Sequence, residues 1–422
     1  MVTLSTLRNG LTVLTDTMPG AETVSLGVWV GVGTRDEAAE QNGIAHVLEH
    51  MAFKGTLSLS AREIAEKIED VGGHLNAYTT REHTAYYAKV LAADTPLAVS
   101  LLADILLNSV FDAEELTRER AVILQEIGQA MDTPDDVIFD QFQEIAYPDQ
   151  PLGRPVLGRA EIVESITREQ LSAYLKRHYH PKNMIVAAAG KIDHAAFEAL
   201  VSAAFGDMTG SAIETLPAHA RYIGGTQIEA RDLEQSHLVI GFPTVSANDP
   251  DYYALSVYST ILGGGMSSRL FQEVREKRGL VYSVYSFAST YRDTGLMGIY
   301  AGTGPEELAK LIPVIADEIQ RLPDTLTAPE IARAHAQLRA GTLMARESTS
   351  ARVEALAQNF LTYGRTVEVA EVLERLAAVS TEDIRRLGGR FITAPPTLAL
   401  LGPEATLDPM ALLTARLSRA AA

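Results

Sequence analysis

Cysteine is absent from the chain, which excludes a disulfide framework, a thiolate metal site and a cysteine nucleophile. Any transition metal must then be held by His, Asp or Glu. Long apolar runs are missing too. A membrane-spanning helix needs about 18 uninterrupted apolar residues, and the longest candidate, Ala88 to Val110, is broken by Lys89, Asp94 and Asp104. The opening stretch, MVTLSTLRNGLTVLTD, has neither the basic-then-apolar order of a secretory signal nor the Arg-rich, acid-poor character of a transit peptide. A soluble, reduced-compartment protein, most simply cytoplasmic and with no membrane insertion, is expected. Basic residues are scarce: 36 Lys and Arg stand against 54 Asp and Glu, a net charge of −18. That sign disfavours nucleic acid and anionic membrane surfaces as partners and favours cationic ones. What remains is 46% hydrophobic and 21% charged over 422 residues, an ordinary soluble composition long enough for two or three domains.

The first half opens with a hairpin signal, Asn9-Gly10 between the alternating TLSTL and LTVLTD. VSLGVWVGVG (24–33) reads as a buried strand. Helical periodicity follows over 40–53 and 61–73, HLNAYTT and HTAYYAKVL read as paired strands, and three helices are expected near 95–109, 112–131 and 135–146. Helix 168–178 and strand 183–190 close the unit. Residues 208–225 lose periodicity and collect Gly, Ser and Pro. The same order of elements then returns: HLVIGFPTV after VSLGVWVGV, DYYALSVYSTILGGG in place of 40–53, paired strands LVYSVYSFAST and LMGIYAGTG, then helices near 305–321, 328–347 and 350–362. This predicts an α+β fold of two similar domains from duplication, spanning 1–210 and 226–422 with a linker at 211–225.

His46-Val47-Leu48-Glu49-His50 is the sharpest chemical feature. On a helix, residues four apart share a face, so both imidazoles can meet one ion, and Glu49 sits where it can polarise a metal-bound water. Ile44, Leu48 and Met51 make this helix inward-facing, an awkward place for two solvated histidines. A catalytic zinc takes three protein ligands and leaves one position to water, so a third ligand is needed. The segment EELTRERAVILQEIGQAM offers Glu119 and Glu126, seven apart and nearly on one face. Taken alone, either reads as a solvated helix glutamate, although Glu126 lies among Val122, Ile123 and Ile127.

HVLEHMAFKGT, GGHLNAYTTREHTAYYAKV and RERAVILQEI together resemble the pitrilysin–insulysin zinc peptidases, in the branch of the mitochondrial processing peptidase and its bacterial relatives. The resemblance runs from about residue 4 to residue 400. It implies two homologous α/β-sandwich domains, each a mixed, mainly antiparallel sheet flanked by helices, forming half of a clamshell. It also implies one Zn2+ per chain held by His46, His50 and Glu126, with Glu49 as general base and Glu119 supporting the site without ligating. In GGGMSSRLFQEVREKRGLVYSVYSF the Gly-rich stretch lacks a phosphate-binding pattern. The resemblance instead makes Tyr282 the group that hydrogen-bonds the scissile carbonyl and Arg275 the group that positions it. The second half carries no zinc motif, and the counterpart of Glu126 falls near Gly341.

The resemblance also bears on substrate. Asn76 and Ala77 lie in a strand similar to the family's substrate-binding edge strand. Phe53 matches a position lining the pocket past the scissile bond, and would otherwise be a core phenylalanine. Asp136 and Asp140 match acidic positions that bind an arginine upstream of the cut, with Asp where the family often has Glu at the first of them. The implied activity is hydrolysis of unfolded peptides, basic presequence-like ones included, inside a closed chamber formed by a homodimer. Two other classes stay open: a non-catalytic core or assembly subunit, and a partner-dependent half of a heterodimeric peptidase.

Overall fold

In a computed structural model of the chain, which describes residues 1–210, 219–404 and 407–418, two compact units form. The first gathers Met1–Gln129, Arg154–Ala218 and Leu343–Val367, and the second Ala130–Gly153, His219–Thr342 and Glu368–Ala422. The units are therefore not two continuous halves, because each takes a segment from the other half of the sequence. Within the expected linker, 211–218 lies outside the described residues, and Gly225 already opens a strand.

The first unit is built on a six-stranded sheet of β1 (Val2–Thr6), β2 (Thr12–Thr17), β3 (Thr23–Val30), β4 (His74–Thr79), β5 (Thr84–Leu91) and β6 (Met184–Gly190). Their order is β1-β2-β6-β3-β5-β4, with β2 and β6 parallel and the other neighbours antiparallel. The Asn9-Gly10 signal is realised as the β1–β2 connection, where Gly10 has φ +93°, a conformation glycine adopts without steric cost. Helices α1 (Ile44–Ala52), α2 (Ala61–Glu69) and α3 (Thr95–Leu107) follow in the same unit. One face of the sheet joins them in a core that includes Leu26, Val28, Val47, Leu48, Met51 and Leu102. The other face, with Leu14, Trp29, Ile185 and Ala187, is covered by Val353, Leu356 and Ala357 of the helix Thr349–Tyr363. Two covered faces explain why β3 and β6 read as continuous apolar runs rather than alternations.

The second unit repeats this plan. Its sheet comprises β7 (Gly225–Ala230), β8 (Ser236–Thr244), β9 (Val281–Thr290), β10 (Gly295–Thr303) and β11 (Thr397–Gly402) in the order β7-β11-β8-β10-β9. Strand for strand this matches β2-β6-β3-β5-β4, including the single parallel pair, β7 with β11. Helix α4 (Ala113–Met131) is followed by α5 (Pro134–Ala146), whose Val137, Ile138, Phe142 and Ala146 pack on Val239, Leu296, Ala399 and Leu401 of this second sheet. In sequence, α4 and α5 correspond to Ala328–Ala345 and Thr349–Tyr363. The duplicated plan thus includes a reciprocal exchange of covering helices. Among the described residues, no helix is long and apolar enough to cross a membrane.

Candidate metal centre

Helix α1 starts at Gly43, whose φ of +98° and lack of space for a Cβ (Gly158 Cα would lie 2.8 Å away) require glycine. Ile44, Val47, Leu48 and Met51 are at most 1% exposed, which fixes the helix rotation and sends His46, Glu49 and His50 to the remaining face. The two imidazole rings are 4.7 Å apart at 72°. Helix α4 is anchored by the buried Leu116 and Ile123 and brings Glu119 and Glu126 to that face.

His46 Nε2 lies 3.7 Å and His50 Nε2 3.5 Å from the same Glu126 oxygen, Oε2. One ligand atom from each of the three residues falls within 4.8 Å of the others, and this is the only such group of His, Asp and Glu among the described residues. A tetrahedral zinc with bonds of about 2.0–2.1 Å has ligand–ligand edges of about 3.4 Å, so two imidazoles and one carboxylate at these spacings fit that ion. Burial, reinforced by the neighbouring His50, lowers the His46 pKa to about 4. The ring is therefore neutral at physiological pH, as a ligand must be. His46 Nδ1 is buried without a hydrogen-bond partner.

His50 Nδ1 lies 3.0 Å from Glu119 Oε2, and Lys54 Nζ lies 2.7 Å from the other oxygen of Glu119. Burial alone would raise the Glu119 pKa, but hydrogen bonds from Lys54 and His50 outweigh it and hold the carboxylate below its usual range. With an ionised acceptor at Nδ1, the ring keeps its proton there and presents Nε2 unprotonated to an ion. Glu49 is half-buried and accepts a 2.6 Å hydrogen bond from Thr79 Oγ1 at the end of β4. Its pKa is raised, chiefly by burial, with Thr79 and His50 opposing and Glu126 adding to the rise. A partly desolvated carboxylate of raised basicity beside a metal group can accept and return a proton.

The structure thus brings together His46, His50, Glu126, Glu49 and Glu119. Asn76 is exposed and Ala77 buried on β4, an edge strand of the first sheet, and the Ala77 N–H donates to Asn76 Oδ1 at 2.9 Å. Phe53 is half-buried against the first core, its ring 6.4 Å from that of Tyr86. Arg275 and Tyr282 belong to the second unit. Arg275 lies in the last turn of a π-helical segment, Phe271–Glu276, and its guanidinium lies 5.4 Å over the ring of Tyr282, which is 77% exposed. Asp136 and Asp140 lie on α5, also in the second unit, the first exposed and the second half-buried. Sequence reasoning passed over Thr79, Lys54 and Glu37, the last a buried carboxylate beneath the start of α1. FKGT, separated from the motif by Met51 and Ala52, was the one signal available for Lys54.

Residues 12–160 match the family model described as insulinase (peptidase family M16), and residues 165–338 match the one described as the peptidase M16 inactive domain. The chain is similar to uncharacterized zinc proteases of Rickettsia felis (40% identity, covering 95% of this chain and 97% of the relative) and Streptomyces coelicolor (39%, covering 94% and 89%). It is also similar to the uncharacterized zinc protease YmxG of Bacillus subtilis (36%, covering 96% and 100%). Among solved structures, a protease from Helicobacter pylori shares the fold with a TM-score of 0.88 at 23% identity, over 96% of this chain and 99% of that one. A peptidase M16 inactive domain from Pseudomonas fluorescens shares it with a TM-score of 0.88 at 22% identity, over 97% and 99%. Relatives of this identity along nearly the whole length, with the HxxEH helix and its distant glutamate in place, put the chain in peptidase family M16.

Proposed function

We propose that the chain is a zinc-dependent metalloendopeptidase that hydrolyses unfolded peptides. The observation that carries this reading is the convergence of His46 Nε2, His50 Nε2 and Glu126 Oε2 with Glu49 beside them. When bound, zinc supplies Lewis-acid chemistry, acidifying water and polarising a carbonyl. His46, His50 and Glu126 hold it, and Glu119 fixes the orientation and tautomer of His50. Glu49 takes the proton of the attacking water and later delivers it to the leaving amine.

The carbonyl-binding groups in this reading are Tyr282, whose hydroxyl donates to the scissile carbonyl oxygen, and Arg275, which holds the tyrosine in place. Their support is the guanidinium-over-ring pairing and the exposure of the tyrosine. Substrate backbone adds to the edge strand at Asn76 and Ala77, Phe53 meets an apolar residue past the cut, and Asp136 and Asp140 receive a basic residue before it. The active form is a homodimer. The match of residues 165–338 to an inactive-domain model, with no second metal group among the described residues, supports one zinc per chain.

The test is zinc content measured together with cleavage of a pool of unfolded peptides, basic and neutral, with and without chelator. Chelator-sensitive cuts support the peptidase reading. Zinc-loaded protein that cuts nothing would replace it with a scaffold or a partner-dependent subunit.

A further inference from the structure

Helix α1 begins without a cap of its own. A helix leaves its first N–H groups without intrahelical partners, and the usual remedy is an oxygen on the N-cap side chain. Here the N-cap is Gly43, which has no side chain and cannot gain one. Its φ is +98°, and a Cβ would lie 2.8 Å from Gly158 Cα and 3.0 Å from Leu157 O. The missing acceptors come from Glu37. Its Oε1 accepts from the Ala45 N–H at 2.9 Å, and its Oε2 accepts from the Gly43 N–H at 2.8 Å and from Asn42 Nδ2 at 3.0 Å. Asn42 Nδ2 also donates to Pro155 O at 3.1 Å, and Arg154 Nη1 donates to the Glu37 backbone carbonyl at 2.8 Å. Glu37 is 4% exposed, so no water substitutes for these contacts.

We propose that Glu37 is a positioning residue of the metal centre: its buried carboxylate clamps the first turn of α1 and sets the depth and rotation at which His46 and His50 meet Glu126. The inference rests on the zinc reading above. Ala45, whose N–H the carboxylate holds, immediately precedes His46. Negative charge at a helix N-terminus also suits the helix dipole. Burial works against the arrangement, pushing the Glu37 carboxyl up to about 7 against the pull of its N–H donors and Arg154. A buried charge that opposes its own ionisation is a poor device for stability alone. It is a good one for holding three N–H groups to a fixed point.

The experiment compares wild type, Glu37→Gln and Asn42→Ala as full-length chains at alkaline pH. Zinc affinity is read by competition with a chromophoric chelator, and thermal unfolding of the metal-free chains by circular dichroism. Gln keeps the shape but turns an NH2 toward a backbone donor. Glu37→Gln should therefore weaken zinc binding about 10- to 100-fold, the range for groups that orient metal ligands, while the metal-free chain unfolds at the same temperature or higher. A cap serving stability alone would do the reverse, with a lower unfolding temperature and unchanged zinc affinity. If Glu37→Gln fails to fold, Asn42→Ala decides, because loosening the brace should weaken zinc binding in the same direction. Wild-type affinity in the deciding variant would overturn the role of Glu37 and leave the zinc reading standing. A wild-type chain that binds no zinc would overturn both.

Discussion

Glu119 and His50 are joined through the imidazole nitrogen that faces away from the metal group. Nδ1 lies 3.0 Å from Glu119 Oε2, while Nε2 lies 3.5 Å from Glu126 Oε2. In the proposed centre the two glutamates of α4 divide their work by position, Glu126 completing the ligand set and Glu119 fixing a ligand from behind.

That division predicts different failures for the two glutamates. Glu126→Ala removes a ligand and should abolish stoichiometric zinc. Glu119→Gln keeps all three ligands and should bind zinc about 10- to 100-fold more weakly. Metal content after dialysis, followed by competition with a chelator, separates them. Equal losses in both variants would contradict the assignment.

Lys54 occupies the other oxygen of Glu119 at 2.7 Å. Lys54→Met should leave Glu119 free to rotate and weaken zinc binding in the same direction as Glu119→Gln. The double variant should add little to the single ones, because all three groups act through one contact. Strictly additive losses would count against this coupling.

Stability should depend on pH through Glu37. Its folded-state pKa is raised from 4.5 to about 7, so the folded chain holds a proton that the unfolded chain has released. The associated stability is fully present below the lower value and is lost as the pH rises through the upper one. The size is on the order of 3 kcal/mol. His46 acts with the opposite sign, its pKa being lowered to about 4, so the wild-type profile mixes both. The difference between metal-free wild type and Glu37→Gln isolates Glu37. Urea unfolding from about pH 5 to about pH 8 should show the variant gaining relative to wild type as pH rises. Parallel curves would contradict the prediction.

The exchanged helix α5 can be tested by packing. Phe142 is 2% exposed, and its ring lies where a Cβ on Gly241 would come within 2.4 Å. Phe142→Ala should destabilise the second unit by about 3–5 kcal/mol, and Gly241→Ala by about 1–3 kcal/mol through overpacking. Both are read from denaturant unfolding. An unchanged midpoint in either would contradict the packing of α5 on the second sheet.

Much of this was legible in the sequence, for physical reasons that differ by element. Asn9-Gly10 announces the β1–β2 connection because few residues tolerate its backbone geometry. The apolar run of β3 announces burial on both faces. His46, Glu49 and His50 announce a shared helical face through their spacing alone, and the repeat of strand order follows from the matching of β8 with β3. The exchange of α5 and Thr349–Tyr363 was not legible, because an amphipathic face tells that a helix covers something and not which sheet it covers. Strand β7 was half hidden, its first residue read as linker, since GTQIEA carries one large apolar side chain. Lys54 and Thr79 act through partners distant in the chain, and Glu37 acts mainly on backbone N–H groups that any nearby sequence would supply, so beyond FKGT for Lys54 the local sequence offers little reason to single them out.

The most direct test of the central claim is single-site. Wild type and Glu49→Gln, loaded with zinc, are compared for metal content and for cleavage of an unfolded peptide pool followed by mass spectrometry. The Glu49 side chain lies beside the ligands and is held by Thr79 at 2.6 Å without being one of the three. The variant should keep zinc at the wild-type ratio and lose nearly all turnover. Retained cleavage, or loss of the metal, would contradict its role as the base.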